Sequence, residues 1–298
     1  MMKKILATVV CFSLMGHFWL FAQEAPADKG EKKEEKKEEK IEKKGFGISI
    51  SPSVIRMAGK PGQSQNATVR VINNGVGPTQ VLTEASDVGN SVDEKGRLVR
   101  QFLPAGTLPF SCAKWTLLRE GEFILQSKEF KDVSFVLSPP ADSTGGSACV
   151  VFFRGIPLVD ASEGGDASQS RATIQIQPRL GAMVFYEIEG TVKRTAELLD
   201  LKADPPSATE PLRIRYRFRD NGNTDVLLSG TFYILDAKKT LTAKGDLKSI
   251  RMFPGDEGAS ETEWASTLGP GTYHLVITFE LGPDAREVIV KELEFSIA

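Results

Sequence analysis

From residue 45 onward the apolar residues fall in short runs that alternate with polar ones, each run bounded by Gly, Pro, Asn or Asp. A period of two is the signature of a strand with one buried and one wet face. Within Gln65 to Asn73, Ala67, Val69 and Val71 share one face, while Thr68 and Arg70 share the other. The pattern predicts strands near 46–50, 54–57, 65–73, 79–86, 114–118, 123–125, 128–137, 148–154 and 172–189. A second set follows Ala203-Asp204-Pro205-Pro206, at 212–220, 226–236, 248–253, 261–267, 271–281 and 287–297. Turn chemistry falls between the runs, as in Lys60-Pro61-Gly62, Lys95-Gly96 and Thr144-Gly145-Gly146. The segment Asp220-Asn221-Gly222-Asn223 reads as a hairpin turn joining the first two strands of the second set.

No stretch past residue 45 shows helical periodicity over ten or more residues. Strands that must each hide one face therefore have only other strands to hide it against. The expected fold is all-β, with two immunoglobulin-like β-sandwich domains in tandem at 46–192 and 193–298. Tyr273 follows Gly269-Pro270-Gly271 and opens a strand, the place where such sandwiches set a tyrosine whose hydroxyl bonds back to the backbone; an ordinary strand residue is the competing reading.

The N-terminus departs from this grammar. Lys3 and Lys4, then an apolar run from Ile5 to Phe21 ending at Ala22, form a secretory signal, expected to be removed as residues 1–22. An uncleaved anchor competes, because the run just spans a bilayer; cleavage leaves no integral membrane segment. Residues 23–45 are rich in Lys and Glu without an apolar stripe, and are expected to be a disordered, solvated spacer. The destination is the periplasm, the cell surface or the medium.

Composition narrows the function. The formal charge of −2 and the lack of a basic stripe interleaved with aromatics give no reason to expect nucleic acid. Past the signal there is one histidine, His274, and two cysteines, Cys112 and Cys149. These residues make no usual zinc cage and no Ser-His-Asp or Cys-His centre, so no catalytic residue, metal or small-molecule cofactor is expected. Ser111-Cys112-Ala113-Lys114 has the spacing of a penicillin-recognising nucleophile but none of its companion motifs. Asp220 to Asp225 gathers oxygen ligands but lacks the downstream bidentate Glu of a calcium loop. In an oxidising compartment Cys112 and Cys149 either bridge, closing a loop that stabilises by about 3 to 4 kcal/mol, or remain two small buried side chains.

Three stretches resemble the two-domain periplasmic pilus chaperones, the PapD-like immunoglobulin-fold proteins of bacteria. The first is Ile48-Ser49-Ile50-Ser51-Pro52-Ser53-Val54-Ile55-Arg56, followed by Gly59-Lys60-Pro61-Gly62 and Ala67 to Asn73. Next comes Val150-Val151-Phe152-Phe153-Arg154-Gly155-Ile156-Pro157, and the third is a long strand closing on Phe185-Tyr186. They span the first domain; the second agrees in size, strand count and its Asn221-Gly222-Asn223 turn. The resemblance implies a chaperone-like protein that binds secreted or pilus-type envelope subunits through a sheet edge of its first domain. A structural or surface-associated envelope module without chaperone activity is the alternative.

On that reading Ile174 and Ile176 begin an apolar face that continues through Leu180, Ala182, Val184, Tyr186 and Ile188, opposite Arg179, Glu187 and Glu189. The face is either shared with a guest or taken up wholly by the domain's own core. The family's carboxylate-binding Arg matches Arg56. Its Lys position holds Met183, and the nearest cation is Arg179. Pro178 removes one backbone donor from the edge that would be offered.

Overall fold

The computed structural model describes residues 47–158, 177–207, 209–265, 268–282 and 288–297. The signal, the spacer, Ile174 and Ile176 lie outside the described residues. Both sandwiches belong to one compact unit, Lys44–Ala298.

The first sandwich is built from β1 (Ile48–Ser51), β2 (Val54–Gly59), β3 (Gln65–Asn73), β4 (Thr79–Val92), β5 (Leu98–Leu103), β6 (Thr116–Leu118), β7 (Glu122–Leu125), β8 (Phe130–Leu137), β9 (Gly146–Pro157) and β10 (Arg179–Ile188). One sheet runs β1-β3-β8-β6; the other runs β2-β10-β9-β4-β5, with β7 also on β4. Alternation does what the sequence requires: Ala67, Val69 and Val71 of β3 are buried while Asn66, Thr68 and Arg70 are exposed. They meet Val133 and Phe135 of their own sheet and Val151, Phe153 and Val184 of the other in one core. Each such Val or Phe side chain, fully buried, contributes about 1.5 to 3 kcal/mol. Cys112 and Cys149 are bonded inside this core, with Cα atoms 5.2 Å apart.

The second sandwich comprises β11 (Ala196–Asp204), β12 (Leu212–Asp220), β13 (Val226–Leu235), β14 (Leu241–Asp246), β15 (Ile250–Met252), β16 (Glu257–Trp264), β17 (Gly271–Glu280) and β18 (Val288–Ile297). Its sheets are β11-β12-β16 and β14-β13-β17-β18, with β15 on β13. Leu212, Ile214, Tyr216 and Phe218 of β12 pack against Phe232, Leu275, Ile277 and Phe279. The Tyr273 hydroxyl donates to the Gly269 carbonyl at 3.0 Å, the backward bond of a tyrosine corner.

The expected hairpin at Asp220 to Asn223 is not one. β12 and β13 lie in different sheets, so this segment crosses from one layer to the other. Its polar groups explain why: the Asn223 carbonyl accepts from Gly146 N–H at 2.8 Å, and its side chain donates to the Thr191 carbonyl at 2.9 Å. Gly145 has φ +72°, and a Cβ on Gly146 would sit 2.0 Å from the Thr224 hydroxyl, so only glycine admits this approach. Three strands also escaped the pattern, β5, β11 and β14, and β4 runs on past Ser86 to Val92.

Candidate protein-binding edge and its interdomain seam

β10 carries the geometry on which binding would depend. It pairs antiparallel with β9 from Arg179 to Glu187, but β2 covers its other side only from Met183 to Ile188. Met183 N–H donates to the Ser53 carbonyl at 2.9 Å, which fixes the parity: Arg179 and Gly181 turn their backbone groups the same way. Among the described residues no strand pairs with them there. The Pro178 carbonyl accepts from Gly155 N–H at 2.9 Å, so residue 178 faces β9. Its missing donor is therefore lost on the β9 side, not from the open edge as the sequence suggested.

The even-numbered face of β10 is spent on the domain's own core, where Ala182, Val184, Tyr186 and Ile188 are buried and Leu180 packs beside them. The other face is not polar, as the pattern of Arg179, Glu187 and Glu189 implied. Met183 and Phe185 point outward and join Val88, Ala148, Val150, Phe152 and Phe253 in a separate apolar cluster. Phe253 comes from the second domain, its ring stacked on Phe110 at 5.3 Å between centroids. An apolar seam between the domains is what gives the outer face its apolar side chains. Toward the open edge the cluster ends at Phe152, whose ring lies over Gly181, while Val54, beside Met183 on β2, is 50% exposed.

Arg179, at the start of the open edge, pairs with Glu84 and places its guanidinium 3.5 Å from the Phe152 ring centre. Arg56 sits farther along, opposite Phe185 on β2. It is not free of partners: its guanidinium donates to Asp225 of the second domain at 3.1 Å and lies 4.4 Å from the Phe185 ring centre. Arg251 contacts the same Asp225 oxygen and approaches the same ring at 4.7 Å. Asp225 is nearly buried, whereas 42% of the Arg56 side chain remains exposed. Burial pulls Arg251 below the usual guanidinium range, with Asp225 opposing that shift.

Polar contacts continue the seam. Arg194 pairs with Glu187, and Asn90 donates to the Arg251 carbonyl at 3.0 Å and to Asp256 at 2.5 Å. Burial pushes the Asp220 carboxyl up to about 6; the Gly222 N–H holds it back, and neighbouring Asp256 and Asp225 add to the rise. One Asp220 oxygen accepts from that N–H at 2.8 Å, and the other has no hydrogen-bond partner.

The remaining candidates are structural. Ser111 is buried and donates to Asp87, which also accepts from Gly106 and Leu108 N–H; no exposed nucleophile stands there. His274 approaches Glu292 at 3.2 Å. Among the described residues no group of His, Cys, Asp and Glu is placed to hold a metal ion, and no helix is long and apolar enough to cross a membrane.

No family model and no curated protein matches the sequence. Solved structures do match. The class 5 fimbriae chaperone CfaA matches with a TM-score of 0.42 and 11% identity, over 83% of this chain and 98% of that one. The CsuC–CsuE chaperone–tip adhesion subunit pre-assembly complex of Acinetobacter baumannii gives 0.43 and 8%, over 82% and 97%. The E. coli chaperone DraB gives 0.38 and 15%, over 85% and 97%.

Proposed function

We propose that this chain is an exported, non-enzymatic polypeptide-binding protein of chaperone-like type, which receives an extended segment of a secreted or envelope subunit along the open edge of β10. The observation that carries this reading is the outward side of β10 before Met183, which no strand covers among the described residues, flanked by the surface of half-buried Met183 and exposed Val54. A guest strand would take its affinity from backbone pairing with Arg179 and Gly181 and its selectivity from side chains set against that surface. The exposed side of Arg56 is the candidate contact for a guest carboxylate, with Asp225 holding its other side.

The test is recovery of partners from the native envelope with tagged protein. Arg179→Pro removes an outward backbone donor, while Arg179→Ala removes only the cation. Recovery should fall at least tenfold in the first and stay near wild type in the second, at equal melting temperature. Undiminished recovery with Arg179→Pro sinks the proposal.

The alternative, a permanent envelope component, is favoured by one observation: Asp225 already gives Arg56 an internal carboxylate. A partner that stays bound through assembly, without turnover, would select it.

A further inference from the structure

Asn221 and Gly222 stand at the crossing between β12 and β13, beside a carboxylate that the binding edge does not use. The Gly222 N–H donates to one oxygen of Asp220 at 2.8 Å, and Asp220 is buried with its other oxygen unpartnered. Glycine is compelled at position 222, because a Cβ there would sit 2.4 Å from the Lys193 carbonyl oxygen and 3.0 Å from the Thr195 nitrogen. Its nitrogen therefore has no side chain beside it to hinder attack on the preceding residue. The Asn221 side chain is exposed to water, and its amide nitrogen donates to Glu197 at 3.2 Å.

A second turn, Asn73-Asn74-Gly75, shows what Asp220 adds. There the Gly75 N–H donates to the Asn73 side-chain oxygen at 2.8 Å, and the Asn74 amide donates to Ser49 at 3.0 Å. In both turns the side chain two residues back accepts the glycine N–H, as in an Asx turn. The acceptors differ: Asn73 offers an amide oxygen, too weakly basic to take a proton, whereas Asp220 offers a carboxylate. General-base help requires a base within hydrogen-bond reach of the proton to be removed, and Asp220 meets that requirement. Burial pushes its carboxyl up to about 6, with the Gly222 N–H opposing and Asp256 and Asp225 adding to the rise. At neutral pH it is thus ionised, yet more basic than an exposed carboxylate.

We infer that Asn221 is a self-modifying residue, converted to aspartate or isoaspartate through attack by the Gly222 nitrogen with Asp220 as the base. Asp220 takes the Gly222 proton as that nitrogen bonds to Asn221 Cγ. The Cγ–Nδ2 bond breaks, and the proton passes to the departing nitrogen, which leaves as ammonia. Solvent water then adds to the cyclic imide and opens either of its carbonyl–nitrogen bonds; no electron is gained or lost. The product sets a carboxylate against Glu197, where the amide had donated. In isoaspartate the main chain also gains a methylene between two anchors, the Asn221 N–H on the Thr195 carbonyl and the Asn223 N–H on the Lys193 carbonyl. Asn223 accepts from Gly146 of the first sandwich, so the change loosens the joint between the two sandwiches.

The experiment is incubation of the full chain in neutral buffer, native and in denaturant, with conversion at each Asn-Gly pair read by peptide mass mapping and isoaspartate by enzymatic methylation. Native Asn221 should convert at least tenfold faster than native Asn74. In denaturant, where no turn holds a base in place, the two rates should agree within about twofold. Asp220→Asn gives this turn the acceptor of the other; it should slow Asn221 at least tenfold and leave Asn74 unchanged. Asn221→Asp, the product made directly, should lower the melting temperature. Equal native rates at the two sites, the same ratio in denaturant as in the native chain, or an Asn221 rate indifferent to Asp220→Asn would each overturn the assignment. An unshifted melting temperature in Asn221→Asp would overturn its consequence for the joint.

Discussion

Asp220 shows how a single side chain can be held in an unfavourable state by the architecture around it. Its carboxyl is buried at the crossing between the two layers of the second sandwich, one oxygen bonded to Gly222 N–H and the other without a partner. The folded protein therefore disfavours the charged form, and the pKa rises to about 6. The sign follows from linkage. Between the unfolded value near 4 and the folded value near 6, the native state holds the proton that the unfolded chain releases, so stability falls as pH rises through that window. Above it the penalty is complete, on the order of 3 kcal/mol. Asp220→Asn should therefore stabilise the protein at pH 8 by about 1 to 2 kcal/mol, after about 1 kcal/mol is subtracted for the amide left unsatisfied. The gain should vanish toward pH 4. Denaturant melts at the two pH values check it, and an equal effect at both would rule out the linkage. The sequence marks Asp220 as a turn residue but not as a buried one, because its burial depends on Gly222 and Asp256 being folded against it. Arg56 was legible as a cation on an early strand. Its partner Asp225, 169 positions away, was not.

At the scale of elements, period two exposed the strands with one clean wet face and missed those whose environment breaks it. β11 contains a register shift between Leu198 and Asp200, which moves its apolar parity partway along, so Leu198 and Leu201 pack on the same core although three positions apart. β14 is an edge strand whose inner face carries only half-buried Ala243 and Gly245, and Gly245 lies under the Phe232 ring where a side chain would give the pattern. β5 was missed because it serves the other domain: Leu98 packs on the second core over Gly258, where a Cβ would fall 2.3 Å from its Cγ. The hairpin is thus a latch, its tip bonded to the edge of β16 through Gly96 and Ala259. Covering that edge removes a row of unpaired backbone groups. Gly258→Val should push Leu98 out and free the tip. Limited digestion with trypsin should then cut after Lys95 or Arg97 at least tenfold faster than in wild type, whereas an unchanged rate would mean that Leu98 does not hold the hairpin. β10 is the instructive half-success. Its core-facing series was readable, but the outward Met183 and Phe185 made no sense until Phe253 arrived from the second domain to cover them.

The whole molecule is held together by contacts that join the two sandwiches through side chains distant in sequence. Asp225 gathers Arg56 from the first domain and Arg251 from the second, Phe185 lies beneath both guanidiniums, and Phe253 is stacked on Phe110 with Arg100 4.8 Å from its ring centre. A buried acid shared by two cations stabilises little relative to an apolar pair, but its removal leaves both cations uncompensated in a partly dry seam. The sandwiches should then separate before either melts, since each has its own core. Asp225→Ala should destabilise the intact arrangement by about 2 to 3 kcal/mol, less than for a fully buried pair because Arg56 is half exposed. Scanning calorimetry should resolve two transitions in the variant where the wild type shows one cooperative event. A single transition merely shifted downward would mean that the apolar contact of Phe253 suffices to couple the domains. The same variant bears on binding, because it frees Arg56, the cation on β2 opposite Phe185, farther along the sheet from the open stretch of β10. If that edge receives a guest ending in a carboxylate, partner recovery should rise in Asp225→Ala, provided the domains stay folded. If the Arg56 and Asp225 pair instead shapes a permanently closed surface, recovery should fall with the loss of coupling.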